Sequence, residues 1–263
     1  MATQPPSNAL PIFYGGLEPL SSNIHTNYKT RTADRAPFLA GHHAVPITVD
    51  EFVSVQRFYP IVFSSGPQPV PLALMGLNEG VNVYVDNEGK PLGEVYFPAY
   101  VRRYPFILAR LSPDAQELSL CFDPTSGLVG DFEDGNPLFD DGKPSETTNN
   151  ILRFCEEFEL SAQRTSQFMD DVKAMDLLME GEVSIQPAGA EQPFVYRGFQ
   201  MVNEEKVRDL GAEELQRINK NGMLPLIMAH LFSMAVMRDV FGKQLQQGKG
   251  PQVPAPAPAF GNA

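Results

Sequence analysis

The chain has 263 residues, with 20 Lys and Arg against 32 Asp and Glu and a formal charge of −12. That balance excludes a nucleic acid partner, which needs clustered positive charge, and a surface made for anionic lipid. The 43% hydrophobic content is that of a globular chain, and two cysteines, Cys121 and Cys155, are too few for a disulfide framework.

The first residues, MATQPPSNALP, are polar and Pro-rich and lack the basic and apolar regions of a secretory signal. Residues 1–40 are therefore expected to be a partly disordered arm and the chain to be cytoplasmic, with leaderless export to the cell surface as the alternative. A single domain is expected over residues 41–247. The remainder, 248–263, alternates Pro with Ala and reads as a disordered spacer.

Within the domain the first half carries mostly β signals. Asp50 to Phe58 is an exception, with an apolar stripe that predicts a short helix. The runs Ile61 to Phe63, Leu72 to Leu77, Val95 to Val101 and Leu118 to Phe122 predict short strands. Val81 to Val85 alternates and is followed by the turn residues Asp86-Asn87-Glu88-Gly89, which predicts a hairpin returning through Glu94 to Val101.

From residue 147 the period changes. Thr147 or Thr148 is expected to cap a helix whose stripe, Ile151, Cys155, Phe158, Ala162, Thr165, Met169 and Val172, steps by three or four, with a break near Leu160-Ser161. A hairpin is expected between Val183–Gln186 and Pro193–Val202, turning at 188–190, followed by helices over Asn203–Asn219 and Leu224–Leu245. The apolar run Met223 to Met237 is too short to span a bilayer and reads as a core helix, so no transmembrane segment is expected. The fold class is α+β, a β-rich N-terminal half of short strands and hairpins packed with a mainly α-helical C-terminal half.

No P-loop, dinucleotide turn, HExxH, GxSxG or CxxC occurs. The four histidines, His25, His42, His43 and His230, show no metal-ligand spacing, and His230 inside an apolar helix reads as a hydrogen-bonded core residue. The acidic stretch 131–141 lacks the register of a calcium loop and reads as a solvated turn. No metal and no cofactor is expected.

One segment concentrates binding chemistry, Val95 to Phe106, VYFPAYVRRYPF. Read as extended, it puts Val95, Phe97, Ala99, Val101 and Arg103 on one face and Tyr96, Pro98, Tyr100, Arg102 and Tyr104 on the other. Tyr and Arg each offer a broad flat surface with a directed polar group. Tyr96, Tyr100, Arg102, Arg103 and Tyr104 are therefore the candidate binding residues, set against the alternative of an arginine satisfied by an Asp or by backbone carbonyls beneath a packed sheet.

PAYVRRYPF (98–106) resembles the most characteristic motif of the bacterial SapC family, which is about this long. The likeness continues in VPITVDEF (45–52), YPIVF (59–63), ALMGLNEGVNVYVDNEG (73–89), CFD (121–123), LFDDGKPS (138–145), TSQFMDDVKAMDLL (165–178), GFQMVNEEKVRDL (198–210) and LIMAHLFSM (226–234). Family members commonly carry a Trp between the hairpin Gly and this motif, whereas here Gly89 is followed by Lys90-Pro91-Leu92 and the chain has no Trp. The resemblance implies an association with a surface-layer locus and with neighbours of outer-membrane receptors and flavin-dependent halogenase-like genes, and no catalytic residues that transfer to positions here. The same name labels an unrelated transporter permease. The first functional reading is a soluble binding protein holding a small anionic ligand, a peptide or a partner protein. The alternatives are an enzyme or enzyme accessory in nutrient uptake or redox metabolism, and a surface-layer structural protein.

Overall fold

The apolar triplet Ile61-Val62-Phe63 sits where three buried side chains in a row require cover on both faces of a sheet. A computed structural model describes residues 10–112, 114, 117–187 and 192–250. The strands that matter are β1 (Glu18–Pro19), β2 (Ala44–Pro46), β3 (Ile61–Ser64), β4 (Pro71–Leu74), β5 (Phe106–Ala109), β6 (Ser119–Phe122), β7 (Leu178–Glu180), β8 (Val183–Ile185), β9 (Phe194–Tyr196) and β10 (Phe199–Val202). The helices are α1 (Phe52–Val55), α2 (Ala99–Arg102), α3 (Glu146–Ala174), α4 (Glu204–Arg208), α5 (Ala212–Lys220), α6 (Met223–Ser233) and α7 (Met237–Gln246).

The central sheet has five antiparallel strands in the order β7-β10-β3-β4-β2. Ile61 and Phe63 face a core shared with Phe168, Val172 and Ile227, whereas Val62 faces Met237 and Phe241, the alternation a pleat imposes. A second sheet, β1-β6-β5, lies over the N-terminal part of α3, where Phe106, Phe122, Leu138 and Cys155 form their own core. The fold is α+β as expected, but the halves are not separate, because β7 and β10 complete a sheet begun by N-terminal strands.

Ser145, not Thr147 or Thr148, caps α3. Its Oγ accepts the Thr148 N–H, while the Thr148 hydroxyl donates to the Leu138 carbonyl. The helix runs unbroken through Leu160-Ser161. The Asn203–Asn219 stretch is split at Leu210-Gly211, and Asn203 caps the first piece through the Lys206 N–H. The β8/β9 hairpin forms, although its turn residues 188–190 lie outside the described residues.

Residues 81–85 do not form a strand. Val83, Tyr84 and Val85 are all buried, and the Asn82 side chain takes the Tyr84 and Val85 N–H groups a ladder would need. The turn itself is where the sequence puts it, since Asp86 Oδ1 accepts from Glu88 and Lys90 N–H and the flanks touch through a single Val85–Pro91 bridge. Gly89 adopts a φ of 78°, and a Cβ there would sit 2.1 Å from the Ala36 carbonyl carbon of the passing N-terminal arm. That arm is part of the domain from Leu10 onward. Tyr14, His25 and Leu39 are buried, and β1 pairs with β6. Of the disordered tail expected over 248–263, residues 248–250 instead follow directly on α7, with the Lys249 N–H donating to the Gln244 carbonyl at 2.8 Å, while 251–263 and the extreme N-terminus lie outside the described residues.

At the sheet's centre β3 and β10 pair only at Phe199–Ser64 and Gln200–Phe63, and α6 fills the opening beyond. His230, fully buried, donates from Nδ1 to the Ile61 carbonyl at 2.8 Å and accepts the Val202 N–H at Nε2 at 3.0 Å, which fixes its neutral tautomer. Ser233 Oγ accepts the Ile61 N–H at 2.8 Å. The Met223–Gln246 helical run, 24 residues, is long and apolar enough by length and composition to cross a membrane; in this fold its α6 part packs on β3 and β10.

Burial pulls the His230 pKa from 6.5 down to about 4, opposed by its bond to Ile61. The unfolded chain thus takes up the imidazole proton at a pH where the folded chain does not. Stability is expected to fall as pH is lowered from 6.5 toward 4, by up to about 3 kcal/mol. Urea midpoints at pH 7 and pH 5 measure this, and His230→Gln should show less pH dependence over that interval than wild type while being less stable throughout. An equal slope in both proteins would assign the dependence to other groups.

Candidate functional site

The segment 95–106 is not a strand. Pro98 precedes a single helical turn, α2, in which the Val101 and Arg102 N–H groups both bond back to the Pro98 carbonyl. Pro98, in the middle of the supposed strand, is the signal against extension, since proline cannot donate to a ladder. The Tyr96, Tyr100, Arg102 and Tyr104 side chains consequently do not line up on one face. A helical turn sends Tyr100 and Arg103 inward together and leaves Arg102 outside.

Tyr100 and Arg103 are buried. The Arg103 guanidinium carbon lies 4.4 Å from the Tyr100 ring centre and 4.1 Å from that of Phe158 on α3, and its NH1 is 3.5 Å from Glu159. Burial pushes the Glu159 carboxyl up while Arg103 pulls it down. The Tyr100 hydroxyl donates to the Ile12 carbonyl, so the N-terminal arm covers this side. Tyr104 is half-buried among Phe13, Tyr14 and Phe38 and donates to Asp123 at 3.2 Å. Asp123 also accepts from the Gly15 and Thr125 N–H groups and the Thr125 hydroxyl. Burial alone would raise its pKa; these donors hold it below the usual carboxylate range.

Glu51 organises the other side, and sequence reasoning does not single it out as a site residue. Its buried carboxylate accepts the Ala99 N–H at 2.6 Å and the Tyr96 hydroxyl at 2.9 Å through Oε1, and the Thr48 N–H and hydroxyl through Oε2. Burial first, and then Glu51, raise the Tyr96 pKa to about 12. A Thr48-x-x-Glu51 capping box is legible in VPITVDEF, and Glu51 serves both as the box acid and as the acceptor for the first N–H of α2. The adjacent turn is tied to α3 by Thr165, which accepts the Val49 N–H, and by the Asp50–Arg164 ion pair.

Of the five candidate residues, Arg102 alone is exposed, its side chain at 49%. Its Nε donates to the Phe97 carbonyl at 3.0 Å, NH2 lies 3.9 Å from Glu51, and the guanidinium stands 5.3 Å from the Phe154 ring centre and 6.0 Å from that of Tyr96. Half-buried Tyr96 stacks on Phe58 at 6.1 Å. The five residues therefore divide, Tyr100, Arg103 and Tyr104 into the packing beneath and Tyr96 with Arg102 onto the surface.

Cys121 and Cys155 are buried thiols whose pKa values burial lifts to about 11 and about 12, so neither is a ready thiolate. Both ring nitrogens of His230 are engaged with backbone, which leaves it no lone pair for a substrate proton. Asp134 of the acidic loop is paired with Arg31.

The architecture defines an α+β domain built around a charge-anchored aromatic turn. The chain belongs to the SapC family, whose model, described as SapC, matches residues 20–240. No curated protein and no solved structure matches it.

Removing Arg103 leaves the Glu159 carboxylate without its cation between buried rings. Arg103→Ala is expected to destabilise the fold by about 3 kcal/mol. Arg102→Ala, half in water, should cost at most about 1 kcal/mol. Chemical denaturation of the two variants separates the roles; equal costs would contradict the division into a buried and a surface arginine.

Proposed function

We propose that this SapC-family chain is a binding protein that holds an anionic ligand, or an acidic stretch of a partner, on the surface around Arg102 and Tyr96, with Tyr100, Arg103 and Tyr104 forming the rigid support. The observation that carries the reading is the setting of Arg102. Its guanidinium is half-exposed, oriented by one backbone bond at Nε and flanked by the rings of Tyr96 and Phe154. An arginine held by rings and by its own Nε has lost part of its rotamer freedom before anything binds, so less is lost on binding. Glu51 meets the guanidinium only through NH2 and only at 3.9 Å, since the same Oε1 also accepts the Ala99 N–H and the Tyr96 hydroxyl at shorter range.

The test is native mass spectrometry on the full chain purified from its source cells, wild type beside Arg102→Glu. The wild type is expected to carry a bound species that the variant has lost, with both proteins melting within a few degrees of each other. Wild-type protein with no bound species, or a variant that retains it, would overturn the reading.

A further inference from the structure

Seven of the chain's twelve arginines are ion-paired among the described residues: Arg31, Arg35, Arg102, Arg103, Arg164, Arg197 and Arg208. In a protein with so large an acidic excess, an arginine without a carboxylate is notable, and two of them line the same hollow. Arg57, just after α1, and Arg238, at the start of α7, border an open cleft of about 430 Å³ that Lys243 also lines. Neither guanidinium has an ion pair among the described residues.

The cleft has an apolar floor and a charged rim. Phe58 and Tyr84 line it. The Lys243 ammonium stands 4.0 Å from the Tyr84 ring centre, so its stem lies along the floor. Tyr84 is fixed beneath by its hydroxyl bond to the Phe58 carbonyl at 2.6 Å. The one carboxylate in the lining is Asp239, and three cations against one anion leave a formal charge of +2 where the whole chain carries −12.

We propose that this cleft, separate from the Arg102 surface, binds a small phosphomonoester, with its dianionic phosphoryl group among Arg57, Arg238 and Lys243 and its organic part over Phe58. A tetrahedral dianion has enough acceptor oxygens to serve three cations arriving from two separate stretches of chain, where a planar carboxylate matches one guanidinium fork. The volume exceeds that of a phosphoryl group alone and leaves room for an apolar body, as in ligand pockets generally. Asp239 opposes the anion and sets the affinity ceiling.

Isothermal titration of the full chain with phenyl phosphate, inorganic phosphate and benzoate tests this. Phenyl phosphate should bind saturably at one site, more tightly than either of the others, and more weakly as NaCl is raised. Arg57→Ala and Arg238→Ala should each weaken it about tenfold, and Asp239→Asn should tighten it several-fold. Both arginines are exposed and unpaired, so their variants should melt as wild type does. Arg102→Ala should leave the affinity unchanged, which keeps this site distinguishable from the surface around Arg102 and Tyr96. Wild-type affinity in an Arg57→Ala/Arg238→Ala double variant overturns the site. Inorganic phosphate binding as tightly as phenyl phosphate removes the floor's role, and benzoate binding as tightly removes the phosphomonoester class.

Discussion

The fold turns on how the main chain of Ile61 is satisfied. On one side Ile61 pairs with Ala73 of β4; on the other, β10 has already diverged, and a buried backbone N–H and C=O would be left without partners at a cost of roughly 1–3 kcal/mol each. Helix α6 supplies both. Ser233 takes the N–H, His230 takes the C=O, and the second His230 nitrogen takes the Val202 N–H on the diverging strand. Three backbone groups on two strands are thereby tied to one helical turn. Phe63, stacked on the imidazole at 4.7 Å, closes the site against water. A histidine and a serine in an apolar helix are not interruptions of the core here; they are what allows a sheet to open inside it.

The chain beyond α6 inherits that position. A short 3-10 turn, Met234–Val236, leads into α7, whose far end is held to the loop after β4. Gln244 accepts the Leu77 N–H, Gln247 donates to the Val83 carbonyl and Lys249 to the Asn82 carbonyl. Seated at both ends, α7 has little freedom to rotate, and this brings Arg238 and Lys243 to the same hollow as Arg57. The cationic cleft is thus a consequence of hydrogen-bond satisfaction at Ile61 and Leu77, remote from the charges themselves.

Much of this is legible in the sequence where burial and period agree. The Ile61–Phe63 run, the stripe of α3 and the Asp86–Gly89 turn stand where the pattern puts them, because each is decided by near neighbours in the chain. The segment 95–106 misleads because its alternation is real but belongs to a different geometry. Pro98 and the Glu51 carboxylate favour a helical turn, and Glu51 is more than forty residues away in sequence. The Thr48-x-x-Glu51 box is visible as a helix start, while its second use, capping α2, depends on a tertiary contact that no spacing rule encodes. Arg57, Arg238 and Lys243 carry no sequence signal at all. Arg57 lies far from the other two in the chain, and the two arginines differ from most of the others only in what they fail to meet.

The two surfaces read as binding sites share one physical origin, the rigidity of Phe58. Its carbonyl accepts the Tyr84 hydroxyl and its ring stacks on Tyr96, while Tyr59 next to it donates to the Tyr96 carbonyl. Phe58 therefore stands between the floor of the cleft and the ring beside Arg102, fixed from both directions. The carboxylates packed around the turn, buried Glu51 and Asp123 and half-buried Glu159, each engage nearby donors or cations. Arg57 and Arg238 have no ion pair among the described residues and Arg102 meets Glu51 only at 3.9 Å, so exposed cations stand on either side of one aromatic wall. In a chain with twelve excess negative charges, cations gathered beside one wall attract an anion locally while the net charge of the chain repels it. Selectivity for where an anion binds then comes from the acidic remainder of the protein as much as from the arginines.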